Sequence, residues 1–198
     1  MFETCRFCRK NPGRFEIAGD ALRCPLCGKA AEFKRLPLFF LSGASCSGKS
    51  TAASLLFERQ KEYITMECDI LWGPHFDTPE DDYAAFRDTW LRMAGNYAQY
   101  GLSTLLCGCI TPEQIEKRWR REYFSARYYA AIVLSDEEMA RRLDKRGASD
   151  EGWRRSSLDF NRWLREHGEE AGMYVIDATL LTPEETAEAV HDWIIEKI

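Results

Sequence analysis

Leu38-Phe39-Phe40-Leu41-Ser42-Gly43-Ala44-Ser45-Cys46-Ser47-Gly48-Lys49-Ser50-Thr51-Ala52-Ala53 is the stretch that decides the fold of this chain. Residues 38–41 are a short, continuous apolar run of the kind that forms a strand buried on both faces. Residues 43–50 fit G-x4-G-K-[ST], and residues 50–59 follow as a helix with Ala52, Ala53, Leu55 and Leu56 turned inward. Strand, glycine-rich loop and helix in that order make a phosphate cradle. The glycines let the backbone curl so that successive N–H groups point at phosphate oxygens. The helix N-terminus adds its positive end. Lys49 is expected to reach the β- and γ-phosphates of ATP, and Ser50 Oγ to ligate Mg²⁺. Ala44, Ser45, Cys46, Ser47, Gly48 and Thr51 complete the expected nucleotide contacts.

Outward from this loop, short apolar runs alternate with helical stretches. Residues 63–67, 103–107, 128–134 and 173–176 read as further strands. Residues 79–100, 112–119, 136–146, 151–167 and 183–198 read as helices. Alternation of this kind predicts an α/β domain with a parallel sheet covered on both faces. Internal repeats and low-complexity segments are not visible.

Ligands of an open α/β sheet bind beyond the carboxyl ends of its strands. Asp69 follows the second of these strands and is therefore expected to face the phosphate loop, as the base for an acceptor hydroxyl or as a holder of Mg²⁺. Glu67 is its competitor, on the same side of the strand and one step deeper. Trp72, His75 and Phe76 come next, either as an aromatic wall for a planar acceptor or as loop packing. Tyr83, Phe86, Trp90, Met93 and Tyr97 recur at helical spacing and read as a core-facing stripe. Residues 136–146 carry Arg142 and Arg146, followed by a segment from Gly147 to Gly152 and then Arg154 and Arg155. A mobile arginine-rich segment would bring cations to the transferring phosphoryl group only after substrate binds. A solvated helix with Glu138 and Arg142 paired is the plainer reading. Residues 118–121 (RWRR) are a second basic cluster, a surface or a hold for an anionic acceptor group.

Residues 1–35 differ from the rest. Cys5-x2-Cys8 and Cys24-x2-Cys27, 15 residues apart, have the spacing of a closed four-thiolate zinc site, two knuckles joined by a short hairpin. A redox dithiol is the weaker reading. Cys46, Cys68, Cys107 and Cys109 are expected to be small buried residues. Eight basic and four acidic residues give residues 1–35 a formal +4, which leaves −9 for the rest of a chain whose net charge is −5. The composition shift and Pro37 place a boundary near residue 36, dividing a zinc ribbon (1–36) from the larger domain (37–198).

The loop at 43–50, an acid after the second strand, and Arg142-Leu143-x-x-Arg146 together resemble the P-loop small-molecule kinases. That group spans adenylate-kinase-like, gluconate-kinase-like, polynucleotide-kinase-like and chloramphenicol-phosphotransferase-like enzymes. The resemblance covers about residues 37–198. It implies a P-loop NTPase three-layer sandwich with a five-stranded parallel sheet in the order 2-3-1-4-5. It further implies Arg142 against the adenine, Arg146 on phosphate, Asp69 as the acceptor-side carboxylate, and Asp177 to Thr179 near the adenine. Two departures stand out. The third strand ends Leu106-Cys107-Gly108-Cys109 without a Walker B aspartate, and no monophosphate-binding arginine follows it.

The expected activity is therefore ATP-dependent transfer of the γ-phosphoryl group to a hydroxyl of a small acceptor, such as a nucleoside or another ring-bearing metabolite. Lys49, Asp69 and Arg146 are the catalytic candidates, and ATP, Mg²⁺ and Zn²⁺ the cofactors. The acidic bulk of the chain makes nucleic acid a less favoured partner. An end-kinase or ATP-gated binder using the ribbon, and a non-catalytic nucleotide sensor, are the alternatives. Residues 1–10 lack a signal-peptide apolar stretch and no apolar run is long enough to span a membrane, so a cytoplasmic protein with no membrane partner is expected.

Overall fold

The computed structural model describes residues 3–147 and 149–198. Five strands form the central sheet: β4 (Leu38–Ser42), β5 (Tyr63–Glu67), β6 (Ser103–Cys107), β7 (Arg127–Val133) and β8 (Met173–Asp177). Their order is β5-β6-β4-β7-β8 and every pairing is parallel. Numbered from β4, this is the 2-3-1-4-5 order implied above. The helices are α1 (Lys49–Arg59), α2 (Ala84–Gln99), α3 (Pro112–Glu116), α4 (Asp136–Lys145), α5 (Glu151–His167) and α6 (Pro183–Ile195).

β4 and β6 are buried along their whole length, as parallel strands covered on both faces must be. Strand alternation sorts their side chains into two cores. Leu38, Phe40, Leu106, Tyr129 and Val133 face α2, α3 and α5. Phe39, Leu41, Leu105, Ala130 and Ile132 face α1, α4 and α6, with Met139, Leu143, Val190 and Ile194 from the helices.

The helix expected over residues 79–100 begins later. A 3₁₀ turn, Pro79–Asp81, is followed by Asp82 and Tyr83 in left-handed conformations (φ 58° and 53°), and only then by α2. Asp81 accepts from Ala84 N and Thr78 Oγ1, so its side chain competes with helix for the local backbone donors. The helices expected to reach residues 119 and 198 likewise stop at Glu116 and Ile195, the former giving way to a 3₁₀ turn over Trp119–Tyr123.

The N-terminal segment forms a separate antiparallel sheet of β1 (Glu16–Ala18), β2 (Ala21–Arg23) and β3 (Ala30–Glu32). It packs on the α2 side of the larger domain. Phe33 meets Tyr123 edge-on at 5.2 Å between ring centres, inside the same apolar cluster as Phe40 and Trp90. Around that contact Arg92 pairs with Glu3 and Arg14 with Glu122, and Lys34 N–H and C=O are both satisfied by the Gln99 amide. Arg35 donates to the carbonyls of Glu122 and Phe124.

Phe33 is almost fully buried, so the joint between ribbon and domain rests on it. Phe33→Ala is expected to cost roughly 3–5 kcal/mol, the usual range for a buried Phe truncation. Equilibrium urea unfolding checks this. A loss under about 1 kcal/mol would mean that Phe33 does not carry the joint.

Candidate phosphate-binding cleft and cysteine cluster

The loop between β4 and α1 turns under tight steric control. Gly43 has φ +155°, and a Cβ there would lie 2.5 Å from Ser47 Oγ and 2.8 Å from the Ile132 carbonyl oxygen. Gly48 (φ +113°) opens α1 without a side-chain cap, leaving the first N–H groups of the helix facing outward. Cys46 takes a left-handed conformation (φ 71°) between them. Ser47 Oγ is buried without a hydrogen-bond partner among the described residues.

The loop borders a cleft of about 430 Å³ at the carboxyl ends of the strands. It gathers Ser45, Cys46, Lys49, Ser50 and Thr51 from the loop and α1, Asp69 from beyond β5, and Arg142, Lys145 and Arg146 from α4 and its end. Lys49, nearly buried, donates to the carbonyls of Gly43 and Ala44 at 2.7 and 2.9 Å. Ser50 Oγ donates to Glu67 Oε1 at 2.7 Å. Glu67 ends β5, so the carboxylate that meets the Ser50 hydroxyl is the deeper of the two candidates, while Asp69 lines the cleft from the following 3₁₀ turn, Cys68–Leu71.

Arg142 lies on the boundary with a second hollow of about 260 Å³, lined by Ser47, Gly48, Thr51, Arg141, Leu181 and Pro183 among others. Its Nη1 donates to the Ser47 carbonyl at 3.2 Å and its Nε to Glu138 at 2.7 Å. Arg146 reaches Cys46 Sγ at 3.8 Å and covers the Trp153 ring at 5.8 Å. Asp177 and Thr179 line neither space. Asp177 Oδ1 accepts from Thr179 N and Oγ1, and Thr179 Oγ1 accepts from Ser135 N, so the pair braces the loop beyond β8. Ala148, in the segment expected to be mobile, lies outside the described residues, as do Met1 and Phe2.

Of the four cysteines outside the ribbon, Cys68 and Cys107 are buried, and burial raises both thiols well above the ordinary value. Cys46 and Cys109 correct the expectation. Cys46 is only half-buried, and Cys109 is exposed in the cleft with its Sγ 3.2 Å from the Gly43 carbonyl. Gly108, at the bend before it, lies close against the Trp90 ring, where a Cβ would sit 3.1 Å away.

In the turn after β5, Trp72 is half exposed and packs edge-on against Tyr83 and Phe86, while Phe76 closes on Phe86. Phe86 and Trp90 continue the contact chain into the core. Arg87 is a buried cation beneath this turn. It donates to the Asp82 carbonyl and pairs with the Asp82 carboxylate; burial lowers its pKa and Asp82 opposes the shift. The basic cluster over residues 118–121 is largely spent on structure: Arg120 pairs with Asp88 and Arg121 with Glu116. Sequence reasoning missed two features here. Lys145 carried no motif signal, and Cys109 was grouped with the buried thiols although Gly108 beside it signals a turn.

At the ribbon, Cys5, Cys8, Cys24 and Cys27 bring their sulfurs within 4.8 Å of one another, with Cys5–Cys27 at 3.8 Å and Cys8–Cys24 at 3.9 Å. The two knuckles repeat one backbone pattern. Cys5 N–H donates to the Lys10 carbonyl and Arg9 N–H to that of Cys5; Cys24 N–H donates to Lys29 and Gly28 N–H to Cys24. Hydrogen bonds from backbone N–H groups, first of Cys8 and then of Phe7, bring the Cys5 thiol down to about 6.

No protein-family model matches this sequence, and no curated protein does either. Solved structures do resemble the fold. A sugar kinase from Janibacter sp. superposes with a TM-score of 0.62 at 19% identity, over 81% of this chain and 94% of that one. The tunicamycin resistance protein of Deinococcus radiodurans gives 0.56 at 18% identity, over 81% and 96%. Shikimate kinase from Acinetobacter baumannii, in complex with shikimate, gives 0.53 at 13% identity, over 82% and 95%. The chain therefore has the α/β fold of these structures. Among the described residues, no helix is long and apolar enough to cross a membrane.

The Glu138 clamp on Arg142 generates a pH prediction. Hydrogen bonds from Arg141 and Arg142 lower the Glu138 carboxyl from its ordinary value to about 2. The stability it contributes is complete above the unfolded value of about 4.5 and is lost as pH falls toward about 2. Glu138→Gln should therefore make the fall in Tm between pH 5 and pH 3 shallower. A parallel fall in both proteins would show that the clamp carries no stability.

Proposed function

We propose that this chain is an ATP-dependent phosphotransferase that moves the γ-phosphoryl group onto a hydroxyl of a small acceptor. One observation carries the reading: a glycine loop, a lysine, a hydroxyl held from behind by Glu67, the Asp69 carboxylate and three further cations border one cleft at the carboxyl ends of a parallel sheet. Phosphoryl transfer needs little more than this, because its catalysis is mostly positioning and charge neutralisation.

The residues fit Mg²⁺ and ATP. Gly43 and Gly48 hold the backbone open where a phosphate oxygen would approach, and the buried, unpartnered Ser47 Oγ adds a donor inside the loop. Lys49 would exchange its two carbonyl acceptors for phosphate oxygens. Ser50 and Glu67 would hold Mg²⁺, directly or through water; Glu67 thereby supplies the carboxylate that β6 lacks. Mg²⁺ would neutralise and orient the β- and γ-phosphates. Arg142 and Arg146 would meet the phosphates, and the hollow between Arg141 and Pro183 would take the base. Asp69 would accept the proton of the acceptor hydroxyl. The sugar and shikimate kinases of similar fold support a hydroxylated ring as acceptor, and half-exposed Trp72 offers such a ring an apolar face.

The four cysteines fit a structural zinc ion. A tetrahedron with Zn–S bonds of about 2.3 Å has S–S edges of about 3.8 Å, which the 3.8 and 3.9 Å separations support. Four thiolates close the site, so the metal would fold the ribbon and take no part in transfer.

Purified protein with Mg²⁺ and γ-labelled ATP, offered pooled sugars, nucleosides, amino alcohols and short oligonucleotides, tests the activity. Label on a small molecule is expected. Label on an oligonucleotide end would replace the reading with an end-kinase, and bound ATP without transfer would favour a nucleotide sensor. Asp69→Asn should lower turnover about 10²- to 10⁴-fold with ATP binding nearly intact. Glu67→Gln should instead raise the Mg²⁺ concentration needed for half-maximal rate, by about 10- to 100-fold. Equal effects on turnover and Mg²⁺ demand in both variants would refute the division of labour.

A further inference from the structure

The ribbon carries a surface that phosphotransfer does not use. Its two knuckles point their tips outward: Phe7 is 41% and Leu26 56% exposed. Around them Arg6, Arg9, Lys10 and Lys29 are all exposed, and none of the four forms an ion pair among the described residues. Arg6 and Lys29, from different knuckles, both lie over the Phe7 ring, at 5.0 and 5.4 Å from its centre. Beside this ring opens a slot of about 260 Å³, walled by Phe7, Phe15, Leu22 and Phe33 and rimmed by two cations, Arg6 and Lys29, against one carboxylate, Glu32.

We propose that the knuckle face binds single-stranded nucleic acid, one unstacked base entering the slot against Phe7 and the flanking phosphates lying on Arg6, Arg9, Lys10 and Lys29. An aromatic platform ringed by cations is the chemistry that single strands require, because every base has a flat face and every nucleotide a charge. A paired base cannot reach into such a slot, and the Asp and Glu side chains that give an acidic peptide its charge have no ring to fill it. The formal −9 on the rest of the chain disfavours a polyanion there outside the cationic cleft, and the Arg6, Lys29 and Phe7 variants read the ribbon contact separately from that cleft. This surface is independent of the phosphotransfer reading, and its test reads binding alone.

The experiment is fluorescence anisotropy of the zinc-loaded full-length protein with labelled 20-nucleotide dT and rU strands, at 50 and 200 mM NaCl. With four phosphates neutralised and a slope of about −0.7 per phosphate, affinity should fall about 50-fold between the two salts. Arg6→Ala with Lys29→Ala should roughly halve the slope. Phe7→Leu, which keeps the bulk and removes the ring, should weaken binding at both salts by about 5- to 100-fold. Zinc content and thermal unfolding show that each variant is folded. No binding at 50 mM salt overturns the proposal, as does binding that both variants leave unchanged. Equal binding of polyglutamate, indifferent to Phe7→Leu, would reassign the face to acidic protein partners.

Discussion

Gly43 sits where no other residue fits. Its missing Cβ is the space between the Ser47 hydroxyl and the Ile132 carbonyl, so the chain can leave β4 and double back only because a hydrogen stands there. The position of that turn is set from beneath. β4 is pinned between β6 and β7, and Ser42 Oγ, buried at its end, donates to the Ile110 carbonyl while accepting from Ile110 N–H. A one-residue slip of β4 would send Phe39 and Leu41 into the core that holds Leu38 and Phe40. It would also carry Gly43 away from Ile132. Sheet register and cradle geometry are thus one constraint, and the cleft inherits the rigidity of the two-sided core.

The cleft concentrates charge, and the protein occupies that charge with its own groups. Lys49 is held by two loop carbonyls, Ser50 by Glu67, and Arg142 by Glu138 and the Ser47 carbonyl. Each of these bonds preorganises a donor near where a phosphate oxygen would arrive. The unpaired members of the set are Lys145, which no hydrogen bond or ion pair engages among the described residues, and Arg146, whose partners are a thiol and an indole ring. Soft partners of this kind yield to a phosphate at little cost, since neither carries a charge that must be left unpaired. That asymmetry leaves the Arg146 side chain freer to change partners than that of Arg142, which two oxygen acceptors hold.

Much of this architecture was legible in the sequence because it follows from local rules. Each strand of the parallel sheet is a short apolar run, and the phosphate loop is a pattern whose residue types are dictated by backbone geometry. Two C-x-x-C pairs at the right spacing prescribed the knuckles. The readings that needed correction depended on side chains far apart in sequence or on competing local bonds. Residues 79–83 have the composition of a helix start, yet Asp81 and the left-handed Asp82 and Tyr83 delay α2 to Ala84. Cys109 looked like the buried thiols beside it, but the chain bends at Gly108, against the Trp90 ring, and Cys109 lines the cleft. That Glu67 meets Ser50 could be anticipated only as far as strand alternation went; the choice over Asp69 required the distance between α1 and β5.

The helix α2 ties the ribbon to the turn that carries Trp72 and Phe76. Its C-terminal half holds the ribbon through Arg92 and Gln99, and its N-terminal half holds Trp72 and Phe76 through Phe86 and sets Gly108 through Trp90. Phe33 of the ribbon and Trp90 belong to one apolar cluster, so the two ends of the helix share a core. A close-packed core transmits a lost side chain over more than its immediate neighbours. Unfolding the ribbon would withdraw Phe15, Leu22 and Phe33 from that cluster and uncover Tyr123 beneath α2. Trp72 and Phe76 would then rest on a helix that had lost part of its packing. The ribbon, at the far end of the helix that holds this aromatic turn, is thus a structural part of the fold that bears the cleft.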